Sequence, residues 1–523
     1  MTAGSAPFSD ADLEQIRSHG LAPEEALRQL ELLSQPPPPA RLVRPCTVGD
    51  GVLRLEASDR SRLEDVYRSG QSAGRFGKFV PASGAASRMF RSLLTFLDNP
   101  AAAGEGGRLA AQRFAADFDR FAFADEVPLE NRPAAAREPD DEELQRLLET
   151  TLTATGLGLA QRPKALVPFH RDPRTDEPLS ALAEHLFEAT EHLLDSDGRA
   201  AVHFTIPQHR ELDFRDAIRP LEARLENERG AQLEISWSIQ RPETDTLALD
   251  SDGLPARDGH GRLLFRPGGH GALLHNLAAL DSDLVFLRNI DNVQPHHRRP
   301  AVVHWNRVLG GLLMEIDADI ERTLDLLARD ALDGEALRRE ASAFAERFGV
   351  APLHPAADGT DDALRQALVE RLDRPLRVVG VVPNAGEPGG GPYWVADDTG
   401  QASPQIVESA QIDRDDPTQR AALDAATHFN PVHLVARARS RSGRGPDLAG
   451  SVDPSTAFVA EKSHGGRPLR VLEHPGLWNG AMARWNTVFV ELPAEVFAPV
   501  KTVFDLLRPE HQPQAAAEVP AGR

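Results

Sequence analysis

Short apolar runs of strand length, separated by stretches of helical periodicity, constrain this chain more than any other feature. Ala165-Leu166-Val167-Pro168-Phe169, Ala201-Val202-His203-Phe204-Thr205, Leu233-Glu234-Ile235-Ser236-Trp237 and Leu284-Val285-Phe286-Leu287 are four such runs, with helical stretches between them. Alternation of this kind is the pattern of an α/β sheet. Residues 303–373 read as three helices, the first over about 303–327, and strand character resumes at 376–382 and 487–492.

Ahead of these runs lies a helical N-terminal element. Ser9 with Asp12 three positions on spells a capping box, Gly20 is a helix stop, and a second helix follows over about 23–33. Pro36-Pro37-Pro38-Pro39 then stiffen an extended spacer. The organisation expected is an accessory element over 1–70 and a first α/β part of the core over 71–302 with a helical insertion at about 95–160. A helical insertion over 303–374, a closing part over 375–511 and a frayed tail over 512–523 follow.

Composition narrows the partners. Of 523 residues 41% are apolar and 26% charged, enough for a sizeable core, and the formal net charge is −21. That balance argues against nucleic acid or an anionic membrane as the main partner. A small phosphorylated ligand needs only a few local cations and stays open. A single cysteine, Cys46, excludes an internal disulfide and a cysteine-rich zinc site, and reads as a small buried apolar residue. Neither a secretory leader nor an apolar run of membrane-spanning length is visible, so a cytoplasmic location is expected.

Four constellations carry chemistry. Phe79-Val80, then Pro81-Ala82-Ser83-Gly84-Ala85-Ala86-Ser87-Arg88, then the amphipathic Met89-Phe90-Arg91-Ser92-Leu93-Leu94 is the order strand, small-residue turn, helix. Backbone N–H groups of such a turn approach phosphates closely, and Arg88 supplies charge at the helix start. Lys164 precedes an apolar run and is braced by Pro163 and Pro168, which suits a cation held to meet a phosphate. Pro267-Gly268-Gly269-His270-Gly271 lets the backbone come against a flat ligand such as a base. Leu284-Val285-Phe286-Leu287 leads into Arg288-Asn289-Ile290-Asp291, placing a carboxylate at the carboxyl edge of a strand, where magnesium and phosphate oxygens are usually held. Each also has a plain structural account: a tight turn, a surface lysine, a glycine turn into a helix, and a capping aspartate.

In this order the four pieces resemble the sugar nucleotidyltransferases of the UDP-glucose and UDP-N-acetylhexosamine pyrophosphorylase type. That resemblance implies a glycosyltransferase-A-like, Rossmann-type core with a mixed sheet, in which 71–302 is the nucleotide-binding part and 375–511 the sugar-binding and closing part. It implies that Ala82, Ser83 and Gly84 cradle the triphosphate, that Gly269 and His270 meet the base, and that Asp291 holds Mg²⁺. Beyond the helical insertion, Ile406-Val407-Glu408-Ser409 is similar to a sugar-contacting segment and points to Glu408. Gly380 and Asn430, in Phe429-Asn430, stand where sugar contacts are expected. Phe497-Ala498-Pro499-Val500-Lys501-Thr502-Val503-Phe504-Asp505 resembles the closing segment of that group, which implies a phosphate contact for Lys501. Arg88, Lys164 and Lys501 are then the catalytic cations. The whole chain also resembles a bacterial family designated a domain of unknown function (DUF4301), through Lys78-Phe79-Val80-Pro81-Ala82-Ser83-Gly84.

The implied reaction joins a nucleoside triphosphate, UTP favoured, to a sugar-1-phosphate and releases pyrophosphate. Two departures stand out. The loop is degenerate, with Ser83-Gly84 and Ala86-Ser87-Arg88 in place of the group's Gly-Gly and Gly-Thr-Arg, and 76 positions separate Arg88 from Lys164. Two rivals follow: a glycosyltransferase on the same fold, for which Asp281-Ser282-Asp283 has the spelling but precedes its strand, and a binding protein that has lost turnover.

Overall fold

The computed structural model describes residues 7–72, 76–133, 138–350, 360–387, 389–437, 448–464 and 466–513. The chain is mixed α/β and divides into two compact units, one built from residues 1–67, 239–285 and 309–492, the other from 68–238, 286–308 and 493–523.

In the first unit five strands lie side by side in the order Thr47–Val48, Gly51–Leu53, Asn486–Glu491, Leu376–Pro383, His428–Arg437. Leu376–Pro383 runs parallel to Asn486–Glu491 and antiparallel to His428–Arg437, so this part of the sheet is mixed. Its residues are buried from Leu376 to Val382, as an unbroken Val-rich run buried on both faces requires. A three-stranded sheet (Leu42–Pro45, Gly390–Ala396, Ala402–Glu408) and a four-stranded one (Phe265–Pro267, Asp245–Leu249, Arg467–Glu473, Phe458–His464) complete the unit's strands.

The N-terminal helices Asp10–Ser18 and Pro23–Ser34 pack Ile16, Ala26 and Leu33 on Leu247, Leu249 and Leu472 of the four-stranded sheet. Burying an aliphatic side chain of this kind stabilises by about 1.5–3 kcal/mol. The Ser9–Asp12 capping box forms as its spelling predicts, and Gly20 follows the helix at φ +89°.

In the second unit the order is Leu284–Arg288 (of which Phe286–Arg288 belongs here), Phe76–Pro81, Arg199–Ile206, Gln232–Ile239. Phe76–Pro81 is parallel to Arg199–Ile206, a pairing that places a helix between them in sequence. One such helix, Ala181–His192, is buried at all but one of its residues. The acidic cluster from Asp140 to Glu143 opens helix Asp141–Leu152 with a capping box, where negative charge complements the N-terminal dipole.

The run beginning at Ala165 departs from expectation. Lys164–Leu166 is a 3₁₀ turn, and the strand is Pro168–Arg171, paired with Pro178–Ser180 in a two-stranded hairpin. Pro163 and Pro168 supply no N–H to a ladder, so the segment between them turns instead of extending the sheet. The tail read from Gln512 lies, beyond residue 513, outside the described residues. Among the described residues no helix is long and apolar enough to cross a membrane.

Candidate active site

In the second unit, strand Phe76–Pro81 ends in the small-residue loop, and Ala82 donates its N–H to Thr205 O at 2.8 Å. The next three N–H groups, of Ser83, Gly84 and Ala85, donate to no described residue, and all three residues are exposed. A Cβ on Gly84 would meet nothing within 4 Å, so no neighbour in the fold requires glycine there. Consecutive undonated N–H groups at the start of a helical turn form an anion cradle. Arg88 closes the 3₁₀ turn Ala86–Arg88, is exposed, and pairs with no described residue.

The long insertion after Arg88 brings the chain back to this loop. Lys164 donates its N–H to Gly84 O at 2.9 Å, and Ala86 donates to Arg162 O at 3.1 Å. The Lys164 side chain then reaches Asp291, Nζ to Oδ2 at 2.8 Å. Lys501 reaches the same oxygen at 3.3 Å. Val500 N–H to Asp291 O (3.0 Å) and Ala498 N–H to Asn292 Oδ1 (3.2 Å) fix the closing segment against the Asp291 turn. Asp505 caps that segment by accepting from the N–H groups of Lys501 and Thr502.

Burial works to raise the Asp291 carboxyl, but the Lys164 and Lys501 charges outweigh it and hold the group below the usual carboxylate range. Burial pushes the Lys164 amine down, against the upward pull of Asp291. Lys501 differs from Lys164 in exposure, with 57% of its side chain accessible against 14%. Two cations on one carboxylate leave the cluster a net positive charge, ready for an anion.

Asp291 Oδ1 accepts from no described residue, and no group of three or more His, Cys, Asp or Glu suited to a metal occurs among them. Magnesium is commonly held by one carboxylate with phosphate oxygens and water completing its shell. The residues therefore fit a phosphate-borne magnesium ion and do not fit a free-standing one.

A buried polar network underlies the cluster, and no sequence motif announces it. Arg288 donates to Asn292 O at 2.8 Å, beside Asp291. Lys78, fully buried, pairs with Glu188 at 2.9 Å, and Asn306 donates to Glu188 at 3.1 Å. Burial presses Lys78 down to about 8, and the Glu188 charge pulls the other way. Glu184 pairs with His170 at 2.7 Å and with Arg299 at 2.7 Å. The available signal was helix Ala181–His192 itself, whose Glu184, Glu188 and His192 recur at four-residue spacing in a segment with no solvent face.

The base and sugar candidates lie in the first unit, and each is engaged by protein. His270 stacks on Trp478 with ring centroids 4.0 Å apart, and its Nδ1 accepts from Leu477 N–H at 2.9 Å. Gly269 sits at φ +81°, and a Cβ on Gly271 would collide with Pro475 O, so close backbone approach accounts for the glycines. A Cβ on Gly380 would collide with the Leu492 side chain and lie 3.1 Å from His433 O. Asn430 Oδ1 accepts from Val432 N–H at 3.1 Å, bracing a β-branched residue at φ +54° where the strand register shifts. Glu408 caps the 3₁₀ turn Ser409–Gln411. Asp281-Ser282-Asp283 does precede its strand, Leu284–Arg288.

The chain belongs to the family described as domain of unknown function (DUF4301), whose model matches residues 9–512. Among curated proteins none matches it. It is similar to the uridine diphosphate N-acetylglucosamine pyrophosphorylase of Trypanosoma brucei, solved with an inhibitor, at 14% identity and TM-score 0.48, covering 96% of this chain and 79% of that one. It is also similar to a mutant form of the UDP-glucose pyrophosphorylase of Leishmania major, solved with UDP-glucose, at 12% identity and TM-score 0.41, covering 96% and 78%.

Proposed function

We propose that this chain is a sugar-1-phosphate nucleotidyltransferase, taking a nucleoside triphosphate, UTP favoured, and a sugar-1-phosphate to a nucleotide sugar and pyrophosphate. One observation carries the reading: Lys164, Asp291 and Lys501, drawn from segments 127 and 210 residues apart, meet on one carboxylate oxygen beside an open anion cradle. A structural ion pair needs one lysine, whereas a site that neutralises a developing phosphate charge uses several cations.

A sugar-1-phosphate oxygen attacks the α-phosphorus, the new P–O bond forms, and the bond to the bridging oxygen breaks as pyrophosphate leaves. The N–H groups of Ser83, Gly84 and Ala85, with Arg88, hold the departing phosphates. Lys164 and Lys501, both on Asp291 Oδ2, steady the charge that develops at the reacting phosphate. Such chemistry depends on positioning and fixed charge more than on covalent help. Magnesium on Asp291, when bound, supplies further neutralisation of the phosphate oxygens. His270, Gly380, Glu408 and Asn430 keep their assignment to base and sugar as part of this proposal.

The test is pyrophosphate release, with magnesium, from a panel of nucleoside triphosphates against a panel of sugar-1-phosphates. Release by the native chain that falls by roughly 10²–10³ in Asp291→Asn is the expected result. Release unaffected by that substitution in folded protein would remove Asp291 from the mechanism. Hydrolysis or transfer from a ready-made nucleotide sugar, without pyrophosphate release, would favour the glycosyltransferase reading.

A further inference from the structure

Within the first unit a cavity of about 1200 Å³ is lined by none of the residues assigned to base or sugar. Five arginines line it: Arg41, paired with Asp398, Arg470, which donates to Leu33 O, and Arg371, Arg374 and Arg484. Neither Arg371 nor Arg484 pairs with a described carboxylate, and the Arg484 guanidinium donates to a backbone oxygen, Gly450 O at 3.2 Å. Burial, and then the Arg371 and Arg484 charges, press the Arg374 guanidinium down to about 10, against a weaker pull from Glu370. In a chain of net charge −21, Arg371 and Arg484 both stand close enough to Arg374 for their charges to act on it.

Three of the four carboxylates on the same wall are engaged elsewhere. Asp397 accepts from Thr399 and Gln401 in its own turn. Asp398 pairs with Arg41, and Asp453 accepts from Ser455. Glu461 faces Arg470 across its strand pair. Two further side chains lining the cavity are buried with hydrogen-bonding capacity unspent. Asn479 is 1% exposed with neither amide atom partnered among the described residues, and Trp485 is 5% exposed with Nε1 likewise unpartnered among them. Leaving such groups unsatisfied is costly, and a polar ligand removes the cost. Phe344 and Phe348 provide apolar wall.

We propose that this cavity is a second ligand site, taking a small organic phosphate whose phosphate group is held by Arg371, Arg374 and Arg484 and whose body lies against Phe344 and Phe348. Guanidinium groups match phosphate oxygens in geometry as well as charge. Asn479 and Trp485 supply the hydrogen bonds that orient the ligand's polar atoms. None of Lys164, Asp291 and Lys501 lines this cavity.

Calorimetric titration of the full chain with glycerol 3-phosphate, AMP and inorganic phosphate tests this. Saturable binding of an organic phosphate, tighter than that of inorganic phosphate, is expected. It should weaken about ten-fold or more in Arg371→Gln/Arg484→Gln, as loss of charge-assisted hydrogen bonds does, and stay unchanged in Lys501→Ala. Arg484→Glu, at an exposed position, reverses one charge without emptying a buried site and serves should the double variant fail to fold. Binding lost in Lys501→Ala and kept in the arginine variants would assign it to the catalytic cations and overturn the proposal. So would absence of saturable binding by folded chain up to about 10 mM, the weak limit of a specific site.

Discussion

The phosphate-side and base-side candidates carry equally suggestive sequence motifs, and their surroundings differ sharply. In the second unit Ser83, Gly84 and Ala85 present N–H groups that nothing described accepts, and Lys164 and Lys501 share one carboxylate oxygen. In the first unit His270 is stacked and hydrogen-bonded, Asn430 braces Val432, and Gly380 makes room for Leu492. Hydrogen-bonding capacity and charge are unspent in one region and spent in the other. A residue type is thus a weaker guide to function than what its neighbours leave it free to do, since proteins satisfy buried polar groups wherever they can.

The two lysines provide the largest test of that contrast. Lys164→Ala and Lys501→Ala should each cut pyrophosphate release by roughly 10²–10³, the usual loss of a preorganised contact to developing charge. Stability separates them. Loss of the buried Lys164 should cost about 1–3 kcal/mol, because it strips a hydrogen bond from the buried Asp291. Loss of the mostly exposed Lys501 should change stability by no more than about 0.5 kcal/mol. Turnover and denaturant midpoints measured on both variants decide the matter. Full turnover in folded Lys501→Ala would reduce the cluster to a structural ion pair.

The sequence made the ends of this site legible and left its support hidden. Asp291 stood out because it follows an apolar strand-like run, and Lys501 only through the resemblance of its segment to the closing segment of the pyrophosphorylases. Residues Pro81 to Arg88 stood out because strand, small-residue turn and helix follow in order. That Lys164 returns to Gly84 after 80 positions was not readable, because a backbone bridge between distant segments leaves no periodic trace. The same holds for Lys78, Glu188, Arg288 and Arg299. Each reads alone as an ordinary surface charge, and only the packing of helix Ala181–His192 shows them pairing in the interior. The apolar run at Ala165 misled for a local reason, as flanking prolines turned a strand-like composition into a 3₁₀ turn.

Gly380→Ala probes the base-side region at intermediate size. The added methyl must displace Leu492, and overpacking of this kind costs about 1–3 kcal/mol. The expected result is a lower denaturant midpoint together with a raised KM for sugar-1-phosphate, as the proposed sugar contact at this position requires. An unchanged KM at lowered stability would show that the position is kept small for Leu492 alone, and the contrast between the two regions would sharpen.

The smallest expected effect concerns His270. Burial depresses its imidazole to about 4 from an ordinary 6.5, against a weaker upward pull from Glu473. Between those values the unfolded chain binds a proton that the folded chain does not, so stability rises with pH across that window and is lost on acidification from 6.5 towards 4. Above pH 6.5 the imidazole is neutral in both states and contributes no pH dependence. His270→Gln should therefore flatten part of the fall in denaturant midpoint between pH 7 and pH 5, by at most about 2 kcal/mol at the lower value. His203, pressed to about 4, and His192 and His511, pressed to about 3, retain their share of the slope in the variant. Identical slopes in variant and native chain would mean that His270 protonates freely in the folded state. The KM for the nucleoside triphosphate, measured on the same variant, sharpens the reading. A stacked, hydrogen-bonded imidazole that only packs the loop should leave KM within about two-fold, whereas a direct contact to the base should raise it about ten-fold.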